Sequence, residues 1–429
     1  MYERRLADSV RAALADTPVV LLQGARQVGK STLARAIAAE RGATYVSFDE
    51  LPALAAAHEN PAAYVAGFSG PAVLDEVQRV PEMFLPLKAA VDRDRRPGRF
   101  LLTGSANVLL LPRIADSLAG RMAPLSLWPL SQGEIDASPE GLLDALFADT
   151  LPPWSGPSED RAAVVSRVLR GGFPEVVARP TARRTAWFDA YIATVLGRDV
   201  RDISRIEDLA ALPRLLALLA ARAAGLLNVA DLARDLGMPA TTLKRYLALL
   251  ERTFLVQTLP AWSANLGRRL VKAPKLLITD TGLLAHLIGA TADRLHSYPD
   301  LLGPLLENFV AMEIRRQAEW SAVRPRLFHF RAHSGQEVDL VLEDPAGRLV
   351  GIEVKASAAV NPAALTGLRL LQAERPRQFH RGVVLYLGRD VVAFAERLHA
   401  VPVSALWSTR GRGVRERVRR PGGKAQARA

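Results

Sequence analysis

Cysteine is absent from the 429-residue chain, which excludes disulfides and thiolate metal sites and fits a reducing, intracellular setting. Long apolar runs are lacking too. No stretch of about 18 uncharged apolar residues occurs, so no membrane-spanning helix is expected. The first residues, MYERRLADSV, have none of the apolar core of a signal peptide. Histidine is sparse, with seven scattered residues; His329 and His333 fall in a strand and a loop rather than on one helix face, and no metal is assigned to them. These absences lead to the expectation of a soluble, cytoplasmic protein with no membrane partner.

What the chain does have is apolar material and cations. Hydrophobic residues make up 49% and charged residues 23%, a globular balance. The chain is too long for one core, so roughly two to four domains are expected. A formal charge of +12 invites a nucleic-acid reading. Its location weakens that reading, because residues 410–429 carry eight basic side chains and one acidic, more than half of the excess. This tail has no apolar periodicity and reads as disordered, either a DNA-binding arm or a solvated end.

Val19-Val20-Leu21-Leu22-Gln23 reads as a buried strand. Gly24, Ala25, Arg26, Gln27, Val28, Gly29, Lys30, Ser31 and Thr32 follow as Gly-x-x-x-x-Gly-Lys-Ser, opening a helix that runs to Ala39. Strand before and helix after is the setting of a phosphate-binding P-loop. Its two glycines let the backbone N–H groups turn inward, and the new helix brings its positive end beneath the phosphates. Lys30 is expected to reach the β/γ-phosphates and Ser31 to ligate Mg²⁺.

Pro71-Ala72-Val73-Leu74-Asp75-Glu76 is an apolar strand closing on two acids, a Walker B pattern about 45 residues past the P-loop lysine. Asp75 is expected in the Mg²⁺ shell, with Glu76 polarising the attacking water. Arg99–Leu102 forms a further strand tipped by Thr103-Gly104-Ser105-Ala106-Asn107. Ser105 is the first choice for sensing the γ-phosphate, with Thr103 and Asn107 as rivals; a helix-capping turn is the structural alternative. P-loop, Walker B and polar-tipped strand in that order are the arrangement of AAA+ ATPases, an α/β sheet with helices on both faces.

The motifs GARQVGKST, AVLDEVQ, LLTGSAN, SLAGR and WPLSQGE, with GGFPE, LGRDVRD and LVKAPKLLITDTGLL further on, extend over nearly the whole chain. In these the chain resembles the prokaryotic AAA+ ATPases whose C-terminal half is a domain of unknown function. The resemblance implies the fold and ATP binding, and says little of biological role. AAA+ cores use an arginine from a neighbouring subunit, which makes a homo-oligomer, ring or dimer, the expected state. Arg121 is the leading candidate for that arginine, with Arg113 and Arg198 as rivals.

Between the two halves, Pro152, Pro153, Gly156 and Pro157 mark residues 136–160 as a linker or surface loop. Thr185 to about Leu209 reads as a long amphipathic helix with Arg198, Arg201 and Arg205 near one turn apart. Residues 228–250, NVADLARDLGMPATTLKRYLALL, have helix-turn-helix spacing around Gly237, and Phe254–Leu259 follows as a wing strand. In a DNA-binding version the second helix would present Thr241, Thr242, Lys244 and Arg245 to the major groove; a packing module is the alternative. Arg268, Arg269, Lys272 and Lys275 add four cations with no acid between them.

Residues 301–318 read as a helix carrying Glu307, followed by strands carrying Asp339 and then Glu353-Val354-Lys355. Helix-Glu, strand-Asp, Glu-x-Lys resembles the PD-(D/E)XK nuclease fold. Residues two apart on a strand face one way, so Glu353 and Lys355 point together. Glu307, Asp339 and Glu353 are expected to hold a second Mg²⁺ or Mn²⁺, with Lys355 orienting water or steadying phosphoryl charge. An ion-paired Glu/Lys edge on an inert scaffold explains the same residues, and both readings stay open.

The expected architecture is multidomain α/β: an AAA+ P-loop core over 1–135, linker and helical lid over 136–225, a winged helix-turn-helix region with basic connector over 226–300, a PD-(D/E)XK-like domain over 301–409 and a basic tail over 410–429. The expected function is ATP hydrolysis coupled to DNA handling, in repair, recombination, branch processing or defence. The competing function is an ATP-switched assembly protein with an inert nuclease-like domain.

Overall fold

The computed structural model describes residues 2–105, 118–151, 154, 156–200, 210–332 and 334–409. Asn107, Arg113, Arg201, Arg205, His333 and the 410–429 tail lie outside the described residues, as do the side chains of Arg198 and Arg268.

Five consecutive apolar or amide side chains, Val19–Gln23, are all buried, as a strand covered on both faces requires. This strand, β1, lies between two others in a parallel five-stranded sheet: β2 (Thr44–Ser47), β3 (Ala72–Asp75), β4 (Phe100–Gly104) and β5 (Met122–Ser126), in the order β2-β3-β4-β1-β5. Alternation sorts the side chains into two cores. Val20, Leu22, Val73 and Leu101 face Leu33, Ala34 and Ile37 of the helix Lys30–Arg41. Val19, Leu21, Leu74, Phe100 and Leu102 face Phe84, Leu87 and Val91 of the helix Phe84–Arg93. The sheet is a three-layer sandwich whose functional end is where its strands finish.

The second half contains a two-stranded antiparallel ribbon, β6 (Val256–Leu259) with β7 (Lys275–Ile278), and a six-stranded sheet. The strands of that sheet are β8 (Arg326–Arg331), β9 (Glu337–Glu343), β10 (Leu349–Lys355), β11 (Phe379–Tyr386), β12 (Val392–Ala395) and β13 (Leu398–Pro402), ordered β12-β13-β11-β10-β9-β8. β10 pairs parallel with β11 and antiparallel with β9.

Between the sheets runs the helix Leu302–Ala318, buried around nearly its whole circumference. Such a helix belongs inside a large protein rather than on a surface. Its polar side chains are spent on neighbours. Asn308 both donates to and accepts from the Ile278 backbone at 2.8 Å. Arg315 reaches Gln257 and the Thr258 carbonyl, and Gln317 reaches the Leu406 carbonyl. One apolar core therefore runs from Leu6 through this helix to Trp407.

Two local expectations change. The segment expected as a linker contains the buried helix Leu142–Leu146, because Leu142, Leu143, Leu146 and Phe147 have the shared core to fill. The long helix begins at Thr181, directly after Pro180, and passes into a π-helical turn at Val195–Asp199. The helices Val229–Leu236 and Ala240–Arg252 meet at Gly237, which takes the left-handed conformation expected of it, and Asn228 caps the first.

Candidate functional site

Gly24 ends β1 with φ at 154°, and a Cβ there would lie 2.0 Å from the Leu127 carbonyl oxygen. Only glycine lets the loop pass so close to the segment after β5. Gln27 follows at φ 62°, a left-handed conformation that costs a side-chain-bearing residue roughly 1 kcal/mol or more. Lys30 opens the next helix with its ammonium folded inward, donating to the carbonyls of Gly24 at 3.0 Å and Ala25 at 2.8 Å. The loop is thus a curled backbone with a buried cation at its centre.

Opposite it stand the ends of β3 and β4. The Ser31 hydroxyl donates to one Asp75 oxygen at 3.1 Å, and the Tyr45 hydroxyl donates to the other at 2.7 Å. Thr103 also donates to Asp75, while its oxygen accepts from the Glu76 backbone N–H at 3.1 Å. Glu76 sits at φ 60°, outside the strand geometry. Ser105 and Gln78 both donate to one Glu76 oxygen. Burial pushes the Glu76 carboxyl up, but the Lys30 charge and the Ser105 and Gln78 hydrogen bonds outweigh it and hold the group below its ordinary range. The result is an ionised carboxylate beside a serine hydroxyl, facing a P-loop lysine. The other pair, the Ser31 hydroxyl on the Asp75 carboxylate, is a set of hard oxygens of the kind that suits Mg²⁺.

Tyr45, Gln78 and Arg4 escaped the sequence reading. Tyr45 had a weak signal, as a polar aromatic on the strand beside Walker B. Arg4 had none: its guanidinium joins the Val28 carbonyl at 2.6 Å, the Trp128 carbonyl at 2.7 Å and Glu134 at 3.1 Å. Trp128 in turn donates to Glu319 at 3.2 Å, so the P-loop is braced against the far half of the chain.

Arg121 lies immediately before β5, whose first residue pairs with Val19 at the start of β1. The P-loop leaves from the other end of β1, about 13 Å of strand away at roughly 3.3 Å per residue. Arg121 pairs with Asp92 of its own chain at 2.5 Å. Its rivals Arg113 and Arg198 fall outside what is described.

The cations expected to meet DNA divide sharply. Lys244 and Arg245 are exposed on the helix Ala240–Arg252, with Thr242 half-buried beside them. Lys272 donates to the Arg331 carbonyl at 3.3 Å. Arg269 is a correction: it forms a two-pronged pair with Glu343 at 2.8 and 2.9 Å and packs over Trp262 and Phe328. Lys275 is a second correction, buried with its ammonium 2.6 Å from Glu307 and 3.1 Å from Asp339. The acids missing from the local sequence arrive from β9 and the helix Leu302–Ala318.

Lys275 also changes the nuclease-like constellation. Glu307, Asp339 and Glu353 do converge, and the Asp339 charge raises the proton affinity of the two glutamates. Burial and then the Asp339 charge push Glu307 up to about 8 and Glu353 up to about 7. The group between Glu307 and Asp339 is an ammonium, and Lys355 pairs with Glu353 at 2.7 Å. The carboxylates do not present themselves to a second Mg²⁺ or Mn²⁺ as expected. Among the described residues no group of three or more His, Asp or Glu side chains is arranged to hold a metal.

Comparison with known proteins agrees with the first sheet. Residues 16–136 match the AAA domain family, and residues 161–294 and 302–406 match two domains of unknown function, DUF8612 and DUF4143. The uncharacterized proteins Rv2008c of Mycobacterium tuberculosis and Mb2031c of Mycobacterium bovis are each 34% identical over 412 residues, spanning 95% of this chain and 86% of theirs. Among solved structures, the Walker-type ATPase PABY2304 of Pyrococcus abyssi matches at 17% identity over 67% of this chain and 96% of its own, with a TM-score of 0.43. The RuvB Holliday junction branch migration motor of Thermotoga maritima matches at 20% identity over 60% and 88%, with a TM-score of 0.30. The domain match and the P-loop sheet define a prokaryotic AAA-type ATPase. The chain belongs to the family of the two mycobacterial proteins, with a DUF4143 domain at its C-terminal end. Among the described residues no helix is long and apolar enough to cross a membrane.

Proposed function

We propose that this AAA-type ATPase is Mg²⁺-dependent, works as a homo-oligomer and couples ATP hydrolysis to the handling of DNA in repair, recombination, branch processing or defence. The observation that carries the catalytic part is the contact set Ser31–Asp75 and Ser105–Glu76 at the strand ends facing Lys30. The backbone from Gly24 to Thr32 wraps the phosphates, and the Lys30 ammonium leaves the loop carbonyls for the β/γ-phosphate oxygens. Ser31 and Asp75 would hold Mg²⁺, which would supply positive charge against those phosphates. Glu76, ionised in the neutral range, orients the attacking water and accepts its proton, and Ser105 holds Glu76 in place until the γ-phosphate competes for its hydroxyl. Arg121 acts on the nucleotide of a neighbouring subunit, since its own P-loop is at the opposite end of β1.

The DNA part rests on the helix Ala240–Arg252, second of a helix pair and followed by the β6–β7 ribbon, which supports a winged helix-turn-helix reading with Lys244 and Arg245 free to meet phosphates. The proposed division places the ATPase core at 1–135, the lid at 136–225, the winged-helix region at 226–300 and the nuclease-like domain at 301–409. One observation favours the second reading, an ATP-switched assembly protein with an inert nuclease-like domain: the carboxylates of that domain are already paired with lysines. The test is ATP turnover with and without single-stranded, duplex and branched DNA. Stimulation by one of these supports DNA handling. Unchanged turnover together with no binding at low salt leaves the assembly reading.

A further inference from the structure

We propose that Lys275 is a tethered cation standing where a divalent ion would bridge Glu307 and Asp339, so that the cleft of the C-terminal domain operates without metal. Three elements converge to make this arrangement. β7 brings Lys275 from the middle of the chain, the helix Leu302–Ala318 brings Glu307, and β9 brings Asp339. The ammonium lies 2.6 Å from Glu307 and 3.1 Å from Asp339 with only 3% of the Lys275 side chain exposed. A hard divalent ion needs those same oxygens at about 2.0–2.6 Å. An ammonium already in hydrogen-bond contact with both leaves it no place.

The remaining oxygens are committed in the same direction. The second Asp339 oxygen accepts from the Val354 backbone N–H at 2.9 Å, and Glu353 pairs with Lys355. The charge balance also favours the lysine. Burial alone would strip the proton from its ammonium, but the Asp339 and Glu307 charges more than reverse that and raise its proton affinity. Nor is Lys275 a plug that withdraws easily. The same strand is held to the helix by the paired Asn308–Ile278 hydrogen bonds, and Leu276, Leu277 and Ile278 are buried. Withdrawing the lysine side chain would take the compensating charge away from the buried Asp339 carboxylate.

One acceptor is left over. The second Glu353 oxygen is buried and, among the described residues, has no hydrogen-bond partner. Glu353 lines a cleft of about 390 Å³ with Gln336, Glu337, Lys355, Ser357 and Asn361. The half-exposed Lys355 ammonium stands in the same cleft.

The experiment uses the full chain without nucleotide, carrying Ser31→Ala and Asp75→Ala so that both proposed ion ligands of the P-loop side are removed. Bound Mn²⁺ is read by electron paramagnetic resonance, and melting temperature is read in Mn²⁺ and in chelator. The parent chain should bind no Mn²⁺ and melt at one temperature in both. Adding Lys275→Ala should lower the melting temperature in chelator and restore part of it in Mn²⁺, because the ion enters the emptied position. A Mn²⁺ ion bound by the parent and lost on Asp339→Asn or Glu353→Gln would overturn the proposal. So would a folded Lys275→Ala protein that Mn²⁺ does not stabilise. If Lys275→Ala does not fold, the resonance measurement on the parent decides alone.

Discussion

At the residue scale, the role proposed for Glu76 rests on three neighbours that fix its charge and direction. Lys30 supplies the opposing charge, and Ser105 and Gln78 supply hydrogen bonds to the ionised form. Glu76→Gln keeps the shape and removes the base. ATP binding should survive, and turnover should fall by about 10²- to 10⁴-fold, the usual worth of a positioned proton acceptor. Lys30→Ala should instead lose nucleotide binding, which a fluorescent ATP analogue reads directly. Turnover near that of the unaltered protein in Glu76→Gln would remove that residue from the reaction. Arg269 makes the opposite kind of prediction. Its side chain is 11% exposed and clamps a buried Glu343 that Arg326 also pairs at 2.8 Å, so Arg269→Ala should cost about 2 kcal/mol of stability and leave the salt dependence of DNA binding unchanged. The inward fold of Lys30 and the contact of Ser31 with Asp75 were legible in the sequence, because a strand–loop–helix unit followed by an apolar strand ending in an acid puts these side chains at one end of a parallel sheet. The partners of Arg269 and Lys275 were not, since their acids lie 74 residues away at Glu343 and 32 and 64 residues away at Glu307 and Asp339.

At the scale of elements, the helix Leu302–Ala318 decides how the chain responds to pH. It carries Glu307 and Glu313 into the interior, and Glu313 approaches Glu140 beside Ser131, Glu134 and Arg5. Burial first, then the Glu313 charge, pushes Glu140 up to about 8, and Glu307 rises to about 8 and Glu353 to about 7. These groups hold their protons in the folded state over a range where the unfolded chain, with carboxyls near 4.3, has lost them. The folded state binds more protons, so stability falls as pH rises. Their contribution is complete below the unfolded value and is lost through about pH 7–8. The urea midpoint should therefore drop between about pH 6 and about pH 8.5, and Glu140→Gln should flatten that slope. A midpoint that climbs over this range would refute the assignment. The helix pair around Gly237 was legible because its cap and its left-handed glycine are local signals. The buried helix Leu142–Leu146 was not, because prolines downstream resemble a linker whenever the surface they flank is out of view.

Over the whole molecule, charge and symmetry matter more than any one contact. Among the described residues, Lys244 and Arg245 are the exposed cations of the expected basic face, and Lys272 is half-buried. If they meet phosphates, Lys244→Glu with Arg245→Glu should weaken binding to all duplex sequences alike and reduce the salt slope by about 2, near one per cation. Removing residues 410–429 should flatten the slope further. An unchanged slope in the double variant would take the helix Ala240–Arg252 out of the interface. The net charge of +12 could not make this distinction, since Arg269 and Lys275 count toward it while facing inward.

Symmetry enters through Arg121. It sits at the end of the sheet remote from its own P-loop and is held by Asp92 on the same chain, so a catalytic role requires a second subunit to bring a nucleotide to it. A trans arginine contributes about 10³- to 10⁵-fold in the systems where it has been measured. Arg121→Ala and Lys30→Ala should each be nearly inactive for different reasons: one lacks the arginine, the other the phosphate-binding lysine. Mixed, they form some interfaces in which an intact P-loop from the first meets an intact Arg121 from the second. Turnover should reappear, rise with the fraction of mixed interfaces and be absent when the proteins are kept apart by dilution. Recovery in the mixture would also show that Asp92 releases the guanidinium on assembly, and Asp92→Ala should then retain turnover. Full activity in a strictly monomeric protein, or in Arg121→Ala alone, would exclude a composite site.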